Sequence, residues 1–189
     1  KYDNVETLNR AMGNLFLEYD FIKGLRFKSE FGLDASFGKH KEFTETWGTN
    51  DRIGYPGSAN VNDWQGTLFN WVNTLNYNFS IGDHSNITIL LGNEAIKNII
   101  TDHGSSDSRY EDQSDIFRYL GIGLNEVKGV SEGYSAWALL SMFSRVEYNL
   151  KQKYLISANV RRDGSSRFSE DLKYGTFYSG SVGWRIDRE

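Results

Sequence analysis

Cysteine is absent from the 189 residues, so there is no disulfide framework and no thiolate metal site. Proline occurs once. No run of about 18 apolar residues exists, which excludes a transmembrane helix. Lys and Arg (21) do not outnumber Asp and Glu (25), the net charge is -4, and no basic block stands out. Nucleic acid is therefore not an expected partner. The three histidines, His40, His84 and His103, fall in neither an HExxH element nor a paired metal spacing. There is no GxSxG element, and Gly121-Ile-Gly123 lacks the strand-to-helix context of a phosphate loop. Neither an enzyme nor a cofactor is expected. Lys1-Tyr-Asp-Asn lacks the charged-then-apolar pattern of a signal peptide, so a signal was removed or the chain begins inside something larger.

What the chain does hold leans towards β structure. Aromatic residues reach 15% and glycine 19 residues. Leu25 to Phe37 shows the pattern most cleanly. Leu25, Phe27, Phe31, Leu33 and Phe37 stand at odd positions; Arg26, Lys28, Glu30 and Asp34 stand at even ones. Successive strand side chains point to opposite faces, so every charge falls on one face of this strand. Ala11 to Phe21 reads the same way, with Met12 and Phe16 as exceptions on the polar side. Further two-faced segments centre on Phe69–Phe79, Ile87–Ala95, Leu140–Tyr148, Tyr154–Val160 and Tyr178–Ile186. The expectation is seven strands.

The connections alternate strictly. Ile22 to Gly24, Ser80 to Asp83 and Asn149 to Lys153 are tight turns; Gly38 to Gln65, Ile96 to Ser135 and Arg162 to Tyr174 are long. Short turns on one side and long loops on the other are the habit of an outer-membrane barrel, with the turns periplasmic and the loops extracellular. Strands of roughly 9 to 13 residues also match a tilted bilayer crossing. Tyr19, Phe21, Tyr77, Phe79, Tyr148, Tyr154 and Trp184 lie near the short turns or the C-terminal end, where an interfacial girdle would sit. The expected fold is all-β: an antiparallel transmembrane β-barrel segment of about seven meandering strands. Two other readings stay open on this pattern. One is a soluble carbohydrate-binding β-sandwich, which leaves the one-sided loops unexplained. The other is a small passive outer-membrane barrel or adhesin, against which an odd strand count speaks.

A resemblance sharpens the expectation. Ala138 to Asn149, then Lys153 to Phe168 with its Arg-Arg-Asp-Gly-Ser-Ser-Arg-Phe run, Gly175-Thr-Phe177 and Gly183-Trp-Arg-Ile186 resemble the SusC/RagA family of TonB-dependent outer-membrane transporters. Leu17 to Phe27 with Phe31-Gly-Leu-Asp34, and Thr74 to Tyr77 with Leu90 to Ala95, resemble earlier hairpins of the same barrel. Tyr178 stands where the family usually has proline, and Ser144 where glycine is common. The resemblance implies a barrel of roughly 22 strands with an N-terminal plug, in the outer membrane of a Gram-negative cell. It implies energising through the TonB complex, a SusD-like surface lipoprotein as lid, contact with outer-membrane lipid, and import of oligosaccharides or peptides. Residues 1–189 would be a partial barrel domain without plug, TonB box or remaining strands.

Candidate residues follow from position. Arg161 faces the lumen by parity, and Arg162, Asp163 and Arg167 are expected at the outer rim, with Asp163-Gly164 forming a turn. The rim is expected to be ion-paired, with direct substrate contact as the lesser alternative. Arg26, Lys28, Glu30 and Arg145 stand on the lumen face as a mixed-charge surface. Trp47, Tyr55 and Trp64 in the first long loop, and Tyr110 and Trp137 in or beside the second, are candidates for ligand or partner contact. Asp102 to Asp115 is rich in oxygen ligands but lacks EF-hand spacing, so a solvated loop is expected before a calcium site.

Overall fold

The structure, a computed structural model, describes residues 2–45, 57–111, 113–126 and 128–188. Seven strands form one antiparallel sheet in chain order: β1 (Tyr2–Ile22), β2 (Leu25–Thr44), β3 (Ser58–Ile81), β4 (Ser85–Ser108), β5 (Gly129–Leu150), β6 (Tyr154–Ser165) and β7 (Tyr174–Trp184). The strand count and the tight turns are as the sequence predicts. No helix among the described residues is long and apolar enough to cross a membrane.

Strand lengths differ from the expectation. β1 to β5 run for 20 to 24 residues. The long connections shrink accordingly to residues 45–57, 109–128 and 166–173, still longer than the turns opposite them. Trp64 therefore lies in β3 and not in a loop, and Trp137 lies in β5. Asp163-Gly164 is not a turn either. Both residues belong to β6, where Asp163 stands opposite Ser141 on one side and Gly175 on the other. Gly164 lacks the positive φ of Gly24, Gly82 and Gly121, and the chain turns only from Ser166.

Two regions are described separately. The first comprises residues 12–33, 68–98 and 137–189. It is one layer of sheet. Leu15 is 77% exposed, Phe31 42% and Leu33 39%, although all three stand on the apolar face. A water-soluble sandwich would bury that face against a second sheet. Among the described residues no second layer covers it, so the sandwich reading is overturned. A small closed barrel is not formed by the described strands: the sheet order starts at β1 and ends at β7.

The second region comprises residues 1–11, 34–67 and 99–136. Here the described residues hold a small core of Phe43, Ala59 and Tyr110, with Leu120 against it. It packs the 109–128 connection onto strand ends, and supplies the only buried hydrophobic residues among those described.

Candidate functional site

Alternation places Arg161 and Asp163 on one face of β6, and Arg167 lies in the turn that begins at Ser166. Facing residues of β4 and β5 complete the surroundings. The Arg161 guanidinium donates to Asp163 Oδ1 at 2.7 Å, to Glu94 Oε2 at 2.9 Å and to Ser141 Oγ at 3.0 Å. It also lies over the Phe143 ring, 5.6 Å from its centroid. A fork of donors suits this shared duty, because a planar guanidinium reaches several acceptors in fixed directions. Phe143 lies flat across β4 because Gly92 is there: a Cβ at that position would stand 2.3 Å from the ring. One arginine thus ties three neighbouring strands. Further along, the Arg167 guanidinium stacks over Trp137 at 5.4 Å.

The other charged-face candidates are also paired. Arg26 holds Asp20 through both carboxylate oxygens, at 2.7 and 2.9 Å. Lys28 meets Glu30 at 2.8 Å, reaches Glu18 at 4.0 Å, and covers the Phe16 ring at 5.2 Å. That contact explains why Phe16 breaks the alternation of β1: its ring serves as a platform under a cation. Arg145 pairs with Glu147 two residues on. Arg162 is on the opposite face, beside Met142 in register and 4.8 Å from the Tyr174 ring centroid.

The aromatic candidates separate. Trp64 keeps the parity of Asn70 and Asn76 on β3 and is half-buried. Its indole lies against Gly38, where a Cβ would stand 2.0 Å from Nε1. Tyr110 is not an exposed loop ring. It is 5% exposed, meets Phe43 edge-on at 5.0 Å, and donates its hydroxyl to the Tyr119 carbonyl at 3.0 Å. Burial pushes its hydroxyl pKa up to about 12. Trp47 and Tyr55 lie outside the described residues.

Two residues that parity could not flag anchor the 109–128 connection. Asp107, 3% exposed, accepts from the N–H of Ser108, Gly121 and Gly123 and from Lys128 Nζ at 2.6 Å. Arg118 binds Asp3, Glu45 and Asp115 and covers the Phe43 ring at 4.9 Å. Within the acidic run, Asp102 and Asp107 belong to β4, and the donors around Asp107 are nitrogen. Among the described residues no group of three or more His, Cys, Asp or Glu is placed to hold a metal ion.

No protein-family model matches the chain. TonB-dependent receptor P3 of Formosa agariphila is 32% identical over 180 residues, covering 93% of this chain and 17% of that protein. TonB-dependent receptor SusC of Bacteroides thetaiotaomicron is 28% identical over 96% of this chain and 17% of its own length. A chain in the structure of the RagAB peptide transporter superposes with a TM-score of 0.90 at 26% identity, over 98% of this chain and 20% of that one. The chain is similar to TonB-dependent receptors over nearly its whole length. It resembles the SusC/RagA members, and it spans less than a fifth of the length of the curated relatives it matches. The paired charges of Arg26, Lys28, Arg145 and Arg161 share one face of the sheet, and the exposed apolar residues share the other.

Proposed function

We propose that this chain supplies barrel wall to an importer in the outer membrane of a Gram-negative cell, energised through the TonB complex and working with a SusD-like surface lipoprotein. The cargo is an oligopeptide or an oligosaccharide. The peptide reading stands first because the RagAB relative is named as a peptide transporter. The observation that carries the proposal is the one-layer sheet itself. An exposed apolar face backed by one on which Arg26, Lys28 and Arg161 are ion-paired fits a wall between lipid and a water-filled, plug-bearing lumen. In this reading Trp64 and the Trp137–Arg167 stack are lumen-side surfaces for cargo, a planar ring suiting a peptide side chain or a sugar face equally. Arg161, committed to two carboxylates and a hydroxyl, holds the wall instead of reaching for cargo.

The test is uptake. Cells lacking the full-length receptor are given labelled oligopeptides or labelled oligosaccharides, and the gene is then restored. Loss and recovery of one class, with the receptor in the outer-membrane fraction and a surface lipoprotein co-purifying, is the expected result. Unchanged uptake of both classes, or a receptor found in the soluble fraction, refutes the reading.

A further inference from the structure

Trp64 on β3 and Asp102 on β4 share the polar face of the sheet. Alternation gives Trp64 the parity of Asn70, and Asp102 that of Glu94, the partner of Arg161. Asp63, Gln65, Thr101 and His103 meet around one cavity, and a Cβ on Gly66 would stand 3.9 Å from Ile100 Cγ1. In an antiparallel pair these neighbours set Trp64 level with Asp102.

The two side chains lean apart, each over a glycine. The indole crosses onto β2, where a Cβ at Gly38 would collide with Nε1 and stand 2.7 Å from Cζ2. Its other edge lies beside Gly66, where a Cβ would be 3.7 Å from Cζ3. With no side chain beneath it at either glycine, the ring lies along the sheet with one face on backbone, and Trp64 is half-buried. The Asp102 carboxylate crosses the other way onto β5, where a Cβ at Gly133 would stand 2.6 Å from Cγ. The 109–128 connection packs elsewhere: Phe43, Ala59 and Asp107, which it meets, have the opposite parity.

Both polar groups are open. Asp102 has no hydrogen-bond or ion-pair partner among the described residues, and the Trp64 N–H has none either. Other carboxylates of this face are occupied: Asp20 by Arg26, Glu30 by Lys28, Asp34 by Arg10 and Glu94 by Arg161. A carboxylate without a cation attracts one, and an indole face attracts the same charge through its quadrupole. A sugar would suit the ring and leave the charge uncompensated. A lysine or arginine side chain answers both. Ring and carboxylate stand roughly 10 Å apart, about two inter-strand spacings, a span that about three residues of extended peptide cover.

We propose that Trp64 and Asp102 form a subsite that selects oligopeptide cargo carrying a basic residue, with the cationic head on Asp102 and the adjoining chain over Trp64. The proposal rests on the importer reading above and narrows its cargo, but its test is binding by the purified receptor. The full-length receptor in detergent is incubated with a random library of N-acetylated, C-amidated pentapeptides and washed. Retained peptides are identified by mass spectrometry.

The expected pool is enriched about fivefold in Lys and Arg over the input. Asp102→Asn keeps size and shape and should abolish that enrichment; Asp102→Lys should shift it to Asp and Glu. Trp64→Ala should shrink the whole pool, and Trp64→Phe should restore part of it. Heat-modifiable migration reports that each variant is folded, and Asp102→Asn still tests the subsite should Trp64→Ala not fold. A pool with the composition of the input, an enrichment that survives Asp102→Asn, or no retained peptide at all would each overturn the proposal. None of these touches the importer reading if restoring the gene restores oligosaccharide uptake. Conversely, unchanged uptake of both cargo classes in cells sinks that reading and leaves the retained pool readable.

Discussion

At the scale of single residues, two charged groups hold the structure in different ways. Arg161 is half exposed, so its contacts with Glu94, Asp163 and Ser141 are partly solvated. Arg161→Ala should therefore cost only about 1 kcal/mol, read as a lower denaturation midpoint of the full-length receptor. Arg161→Lys keeps the charge but not the fork and should recover part of that loss. Asp107 is buried instead. Burial pushes its carboxyl pKa up, but Lys128 and the N–H groups of Ser108, Gly121 and Gly123 outweigh this and hold it below the usual carboxylate range. It stands far beyond the roughly 9 to 11 residues that a strand needs to cross a bilayer. The sign of its pH effect follows from the depressed folded value. Its contribution is fully present above the unfolded pKa of about 3.9 and is lost as pH falls through the lower folded value. Hydrogen-exchange protection at the Gly121 and Gly123 amides should stay flat from neutral pH to about 4 and collapse below it. Protection that fails near pH 6, or persists at pH 2, would contradict the assignment. Asp107→Asn should loosen the same connection at neutral pH by about 2 kcal/mol.

At the scale of elements, the turn between β5 and β6 carries local strain. Lys151 and Gln152 both have φ of 54°, and the Lys153 N–H closes the turn onto the Leu150 carbonyl at 2.9 Å. This is the geometry that Asn-Gly adopts at least cost. Lys151→Asn with Gln152→Gly should raise stability by about 1 kcal/mol, seen as a later unfolding midpoint with unchanged heat-modifiable migration. The same element shows what was legible in the sequence. Its two faces and its turn were, because Met142, Val146 and Tyr148 alternate with Ser141, Arg145 and Glu147. The far ends of the strands were not. Period two in a sequence records a difference between two solvents, lipid on one face and water on the other. Along Lys39, His40, Lys41 and Glu42 the alternation stops, yet β2 continues to Thr44. Both faces there meet water or neighbouring side chains, as the 3.1 Å pair of Lys39 with Asp63 shows. The ladder persists where the pattern does not. Trp64 and Asp163 therefore read as loop and turn residues in the sequence, for want of alternation around them. The role of Asp107 is invisible in the sequence for another reason: three of its four donors are backbone N–H groups, which residue types do not announce.

At the scale of the whole receptor, a wall one residue thick allows neighbouring positions to have opposite fates. Ala158 and Asn159 are adjacent on β6. Ala158 stands opposite Val146 and Gly180 on the apolar face, which the proposed function turns to lipid. Asn159 donates to Ser179 Oγ at 3.2 Å on the polar face, which the proposed function turns to the lumen. Both lie a few residues above the β5–β6 turn, well inside the apolar band. An arginine at 158 must bury its charge in hydrocarbon or bend out of it, at about 2 to 4 kcal/mol near the midplane and less towards the interface. An arginine at 159 enters water beside other polar groups and should shift stability by no more than about 0.5 kcal/mol. Outer-membrane yield and heat-modifiable migration of the full-length Ala158→Arg and Asn159→Arg receptors read the difference directly. A globular domain would answer the other way if residue 158 met bulk water, tolerating Ala158→Arg, and a barrel with its faces exchanged would be damaged by Asn159→Arg instead. Because the two substitutions add the same side chain at the same depth on the same strand, propensity and strand position cancel between them. What remains is the solvent on each side of the sheet, the quantity on which the transporter reading depends.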